Sequence, residues 1–233
     1  MRLPFRRAKA KLGGGDLDTW PSLENLDAFV RHPAVVATLE RVPSSASVHE
    51  LGNMVLESHF AQGRRGLAIC GVTADSGALD VASCLSVALS MQDVRVLLVD
   101  ASFSLSHLAK TSGARPGLSD VLSKKDVRVE SVIETGILPR LDLLSCGSTP
   151  VPDLLEGEQF SRFAREVLRL YDCTIVCAPP ANRCSTALSV ARSIGHAVIV
   201  ARASRTFYED LVQLSGDLRK DGVQILGSVM IDT

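Results

Sequence analysis

A chain of 233 residues with 46% apolar and only 4% aromatic side chains has room for one doubly wound domain and a short appendage, its core built from Val, Leu, Ile and Ala. Its net charge of −1 excludes a global field that would gather nucleic acid, so no nucleic-acid partner is expected. No run approaches the ~20 apolar residues that span a bilayer, and no apolar stretch follows the basic N-terminus as in a secretory signal, so a cytoplasmic location is expected.

Residues 1–15 read as a basic flexible arm that ends in three glycines. Arg2, Arg6, Arg7, Lys9 and Lys11, with Leu3 and Phe5 among them, suit either a solvated tail or peripheral contact with an anionic inner-membrane surface. Each such cation contributes ~1 kcal/mol near that surface. Residues 16–62 read as a helical extension. Short helical patterns over 22–42 break at Pro33 and close at Pro43, serines follow, and a helix is predicted from about Val48 to Gln62.

From residue 63 to 233 the pattern is that of one α/β domain. Apolar runs at 67–72, 95–100, 141–146, 173–178, 197–202 and 225–230 read as strands buried on both faces. Amphipathic segments near 79–91, 117–124, 159–170, 185–194 and 207–221 read as helices between them. This alternation predicts a doubly wound, mostly parallel sheet with helices on both faces. In such sheets ligands bind beyond the carboxyl ends of the strands. Function is therefore expected at 71–80, 100–107, 147–153, 178–186, 202–207 and 231–233.

The six cysteines include no CxxC pair, which argues for small buried hydrophobes in a reducing compartment and against a metal site. Cys177, before Pro179-Pro180, admits a second reading as a nucleophile assisted by His107; a buried, inert thiol is the simpler one. Asp75, Asp80 and Asp100 admit a cation cluster or plain solvation. His196, just before a strand, is expected to cap a loop. Arg183, Arg202 and Arg205 sit at strand or turn ends, where they are expected to neutralise nearby aspartates.

The first strand runs into Gly71-Val72-Thr73-Ala74-Asp75-Ser76-Gly77-Ala78-Leu79-Asp80 and then a helix, the place where backbone N–H groups wrap phosphates in a P-loop. Together with Leu85–Ser90, Arg95–Ala101, Gly117–Leu122, Leu141–Gly147, Val151–Leu155, Tyr171–Asp172 with Pro179-Pro180, and Arg202–Thr206, this order of segments carries a resemblance. From about residue 45 onward the chain resembles the cytoplasmic domain of bacterial tyrosine kinases of capsule and exopolysaccharide systems. That domain belongs to the deviant-P-loop superfamily, which also holds the division-site and chromosome-partitioning ATPases.

The resemblance locates a nucleotide site at Gly71, Asp75, Gly77, Ala78, Leu79, Asp80, Asp100, Ser102, Cys177 and Asp232, and the departures fall on its working positions. Ala78 stands where the family has its Lys and Leu79 where it has the Mg²⁺-binding Ser or Thr. Asp75 replaces a loop glycine, Ser102 the second acid of the second motif, and Cys177 the Asp of the third. Asp232 stands where an Asn is common. Loss of the Lys removes charge that stabilises a transferring phosphoryl group. A carboxylate 4 Å from a phosphate costs ~4 kcal/mol at an effective dielectric of ~20. Neither ATP nor Mg²⁺ is therefore expected as a cofactor, and no catalytic or metal-binding residue is assigned.

The family's tyrosine-rich tail has no counterpart in Ile231-Asp232-Thr233, and Tyr171 and Tyr208 fall in predicted folded elements. In the family's oligomerisation helix an acid and two arginines recur at three-residue spacing; here Glu50, Asn53 and Leu56 stand there. The resemblance then implies a non-catalytic, pseudokinase-like partner of the cytoplasmic part of an inner-membrane polysaccharide co-polymerase, supporting exopolysaccharide biosynthesis and export. The alternatives are an active tyrosine autokinase of the same pathway and a positioning ATPase of the division-site or partitioning type.

Overall fold

The computed structural model describes residues 46–103, 115–124, 126–147, 149, 152–182, 185–203 and 205–232. The basic arm with its five cations, the helical patterns over 22–42, His107, Arg183 and Cys184 lie outside the described residues.

Among the described residues, seven strands form a single sheet. They are β1 (Gly66–Gly71), β2 (Val96–Asp100), β3 (Glu134–Leu138), β4 (Leu141–Leu144), β5 (Cys173–Cys177), β6 (His196–Arg202) and β7 (Gln224–Ile231). Their order across the sheet is β3-β4-β2-β5-β1-β6-β7. All neighbours are parallel except β3, which pairs antiparallel with β4. Every residue of β1, β2 and β5 is buried, which explains why these central strands read as unbroken apolar runs.

The strand β3 was absent from the six runs expected of the sequence. Its residues ETGIL contain a glycine at φ +71°, and three of the five are not buried. At the sheet edge one face is wet, so the apolar signal that marks the central strands is diluted. Two residues, Pro139 and Arg140, separate β3 from β4.

The helices are α1 (Ala46–Ser58), α2 (Ala78–Ser90), α3 (Leu118–Ser123), α4 (Glu158–Leu170), α5 (Thr186–Ile194) and α6 (Tyr208–Lys220). On one face, α1 and α2 close over Leu67, Ile69, Leu98 and Ile175. On the other, α3–α6 close over Ala68, Leu97 and Val176, with Phe160 fully buried in that layer. Successive strand residues thus alternate between two apolar layers.

The helix expected over 48–62 is in two pieces: α1 stops at Ser58, and a single 3₁₀ turn, Phe60–Gln62, ends at Gly63 with φ +84°. A Cβ at Gly52 would lie 2.9 Å from Ala88 Cβ, so α1 sits tight on α2. The Gln92 amide donates to Asn53 Oδ1 at 2.6 Å, and Leu56 packs on the same apolar layer. Glu50 is exposed. Two of the three positions expected to carry an oligomerisation motif are therefore turned toward α2 and its core.

Candidate functional site

The carboxyl end of β1 carries the loop Val72–Gly77 into α2. Gly71 leaves little room at the strand end: a Cβ there would come 2.2 Å from Ser76 Oγ and 3.0 Å from Ala78 Cβ. Gly77 has φ +79°, a region only glycine enters freely, and forms the N-cap of α2. A Cβ on Gly77 would meet Ile231 Cδ1 at 2.5 Å and Arg202 Nη2 at 3.2 Å, so the end of β7 and an arginine from β6 cover the loop. Ala78, Leu79 and Asp80 form the first turn of α2, so the helix opens with a methyl, an isobutyl and a carboxylate.

Asp75 is the hub of the loop. Its Oδ1 accepts from the Thr73 hydroxyl at 2.7 Å, and its Oδ2 pairs with Arg205 Nη1 at 3.3 Å. Its backbone carbonyl accepts from Arg202 Nε at 2.6 Å. The Thr73 hydroxyl, and then Arg205 and Arg202, hold the Asp75 carboxyl below the usual carboxylate range. Arg202 is itself oriented by the turn that follows β6, where its N–H donates to the Thr206 hydroxyl at 3.0 Å. The expected neutralisation of loop aspartates is present for Arg205 on Asp75, and Arg202 reaches the same residue through its carbonyl.

Asp100 and Cys177 end adjacent strands and are register partners. Asp100 is fully buried and accepts from both the N–H and the hydroxyl of Ser102, at 3.0 and 2.6 Å. Burial, and then Asp100, Cys70 and Asp80, push the Cys177 thiol far up, so it stays protonated at neutral pH. Burial likewise pushes Cys70 up to about 12, and burial with Asp100 does the same for Cys146. Five described cysteines are free and buried. A protonated, enclosed thiol is a poor nucleophile. Asp232 follows β7 and is exposed.

The fold therefore brings Gly71, Asp75, Gly77, Ala78, Leu79 and Asp80 together in one loop and helix turn. Asp100, Ser102 and Cys177 form a second group on the neighbouring strand ends, to which Asp80 is electrostatically coupled through Cys177. Among the described residues no three His, Cys, Asp or Glu side chains form a metal cluster.

The segments of the sequence that most clearly set the pattern also interlock. Gly117 opens α3 against the turn after β4, where its Cβ would strike Gly147 N and Ser145 O at 2.5 Å. Leu118 and Ser119 donate to the Ser145 and Cys146 carbonyls at 2.9 and 3.0 Å. The Gly117 N–H is taken by Asp120 Oδ2 at 3.0 Å.

This geometry has counterparts. The tyrosine-protein kinase Etk of Escherichia coli K12 is 29% identical over 195 residues, 81% of this chain and 27% of Etk. The putative tyrosine-protein kinase CapB of Staphylococcus aureus is 25% identical over 170 residues, 71% of this chain and 74% of CapB. The solved Etk kinase domain superposes with a TM-score of 0.75 at 26% identity, covering 91% of this chain and 88% of that domain. Its homologues are bacterial tyrosine kinases. The cell-division ATPase MinD of Pyrococcus furiosus, at 22% identity and a TM-score of 0.61, shares the fold. No family model matches the chain.

Against this kinase-like frame, three features escaped the sequence. His196 opens β6 and bonds back to Ile194 at the end of α5 and across to Gln224, and its ring meets that of His59 edge-on at 4.6 Å. His59, fully buried, bonds through Nε2 to the Gly66 carbonyl at 2.9 Å. Ile231 covers Gly77 from the far end of the chain. A histidine 137 positions from its partner leaves no periodic signal, and only the β6–β1 adjacency brings the two together. No helix among the described residues is long and apolar enough to cross a membrane.

Proposed function

We propose that this chain is a non-catalytic, kinase-fold protein that acts by binding. Its partner in this reading is the cytoplasmic part of an inner-membrane polysaccharide co-polymerase, and its role is to support exopolysaccharide or capsule biosynthesis and export. The observation that carries the reading is the Asp75 hub. The loop that would wrap phosphates is instead bonded to two arginines of its own chain, with Arg202 Nε 2.6 Å from the Asp75 carbonyl.

The donor set is a poor fit for a Mg²⁺-bound triphosphate. Ala78 and Leu79 bring neither the cation nor the hydroxyl that such a ligand draws on, and Asp75 and Asp80 add negative charge beside it. Arg205 and Arg202 offset that charge but are held by the loop itself. In this reading the kinase-like fold serves as a rigid binding surface. The chain spans about a quarter of Etk, so the activity of the whole relative does not transfer automatically.

Calorimetry with Mg²⁺-ATP tests the first half of this reading. A ligand at ~100 times its dissociation constant adds ~2.7 kcal/mol of stability, which a melting curve reveals easily. No heat and no shift are expected. Saturable ATP binding would favour the second reading, an active autokinase, to which the names of the relatives point. Co-purification with the cytoplasmic termini of a co-polymerase tests the other half.

A further inference from the structure

On the α3–α6 face, the residues after β1 and β5 meet α5 and α6 in a cleft of about 250 Å³. Its floor is apolar, made by Val72, Ala181, Leu188 and Leu214. Its polar lining is Asn182, Gln213 and two acids, Asp210 and Asp217, with no Lys or Arg among the described lining residues. The α6 contribution is regular. Positions 210, 213, 214 and 217 follow the i, i+3, i+4, i+7 spacing that puts side chains on one helix stripe.

The bland account of Asp210 is that an acid in the first turn of α6 complements the helix dipole. That account does not reach Asp217, two turns further along the same stripe, nor the apolar floor between them. Asp217 leans toward Lys220 at 3.0 Å, at the solvent side. Asp210 has no ion-pair partner among the described residues.

We propose that this cleft docks a basic peptide segment of a partner protein, arginine or lysine alternating with apolar residues. Charge complementarity fixes the sign of the occupant: its cationic heads lie toward Asp210 and Asp217, with Asn182 and Gln213 offering amide oxygens. Its aliphatic stems cover Leu188 and Leu214. The site is separate from the phosphate loop, with which it shares only Val72. The proposal therefore does not depend on the non-catalytic reading, and either can fail alone.

The test uses the full chain and a labelled six-residue peptide alternating arginine and leucine, read by fluorescence anisotropy at low ionic strength. Saturable binding is expected, weakened roughly fivefold or more in the Asp210→Asn/Asp217→Asn double variant and by added salt. A glutamate–leucine peptide should not bind. In wild-type protein the Asn182 and Gln213 side-chain amide resonances should shift on titration, which separates docking in the cleft from loose attraction elsewhere. Equal binding by the double variant, shifts confined to other residues, or no saturable binding would each overturn the proposal. So would competition by free spermidine at the peptide's own concentration, since the cleft would then be a small-cation site.

Discussion

Arg205 Nη1 lies 3.3 Å from Asp75 Oδ2, joining the turn after β6 to the loop after β1 across 130 residues of sequence. The two strands are neighbours in the sheet, so the loop and the turn rise side by side from their carboxyl ends. The pair is more than half exposed on both sides, and Arg202 makes the better-directed bond to the same residue. The charge of Asp75 is thus balanced by arginines within the loop's own neighbourhood.

Removing the two arginines should therefore have unequal effects. An exposed ion pair is worth ~0–1 kcal/mol, so Arg205→Ala should lower the melting temperature by at most a few degrees. Arg202→Ala loses a charged bond to a carbonyl and contact over Gly77, and about 1–2 kcal/mol is expected even after allowing for solvent. Hydrogen exchange at Ser76 and Gly77 should quicken in Arg202→Ala and hardly change in Arg205→Ala. Equal stability of wild type and Arg202→Ala would remove Arg202 from this role.

Gly117→Ala probes the contact between the start of α3 and the turn after β4. Its new methyl would sit 2.5 Å from two backbone atoms, which cannot swing aside as a side chain would. Overpacking of this kind costs ~1–3 kcal/mol. A melting temperature lower by ~3–10 °C is expected at this chain length, with the far-ultraviolet spectrum intact. An unchanged melting curve would mean that α3 is free to move.

How far the sequence reports this architecture depends on which side chains are enclosed. LAIC, VLLV and TIVC are legible as strands because both of their faces are covered, whereas Glu134–Leu138 is not, because its edge position leaves Glu134, Thr135 and Gly136 partly wet. At the site, the substitutions Ala78, Leu79 and Cys177 are visible as letters. The bond from Arg202 to the Asp75 carbonyl is not, since a backbone acceptor leaves no side-chain signature. The cover that Ile231 provides over Gly77 is hidden for a related reason: an aliphatic residue at a strand end looks the same whether it shields a loop or a core.

The His59–His196 contact predicts an acid-sensitive fold. Burial, then the positive neighbours His196 and Arg64, outweigh the bond to Gly66 and lower the His59 value from 6.5 to about 4. Burial, then Arg64, lowers His196 in the same direction, against its bonds to Ile194 and Gln224. The Gly66 carbonyl can only accept, so Nε2 carries the proton, and Nδ1 is left without a partner in the interior. The neutral ring is the one that fits. Stability is then full above pH ~6.5 and falls as pH drops toward ~4, where the folded ring finally titrates. The loss from His59 is on the order of 3 kcal/mol. Asp75 and Asp120, held below the usual carboxylate range by Thr73 and Lys124, act only at lower pH and leave this window to the histidines. His59→Gln keeps a donor for Gly66 and removes the titration, so its stability should vary less between pH 6.5 and 4 than that of wild type. Parallel profiles would sink the assignment.

Cys177→Asp would restore the letter of the third acidic motif, and the structure predicts that it harms the protein. Position 177 is buried beside Asp100, its register partner, so the variant would place two carboxyls side by side where one thiol now sits uncharged. An uncompensated buried charge costs ~3–5 kcal/mol. Burial and the neighbouring acid both favour the neutral form of the new carboxyl, which raises its folded pKa above the unfolded value of ~3.9. The penalty relative to wild type should then be small near pH 4 and grow as pH rises toward neutrality. Millimolar Mg²⁺ is the natural remedy for two facing carboxylates, but Leu79 offers it no hydroxyl, and Ser102 already bonds Asp100. Melting curves of the variant at pH 5 and pH 7, with and without Mg²⁺, are expected to show a larger deficit at pH 7 that the metal does not repair. Full repair by Mg²⁺ would mean that a single substitution makes a cation site, and the proposed non-catalytic reading would then rest on Ala78, Leu79 and the Asp75 loop alone.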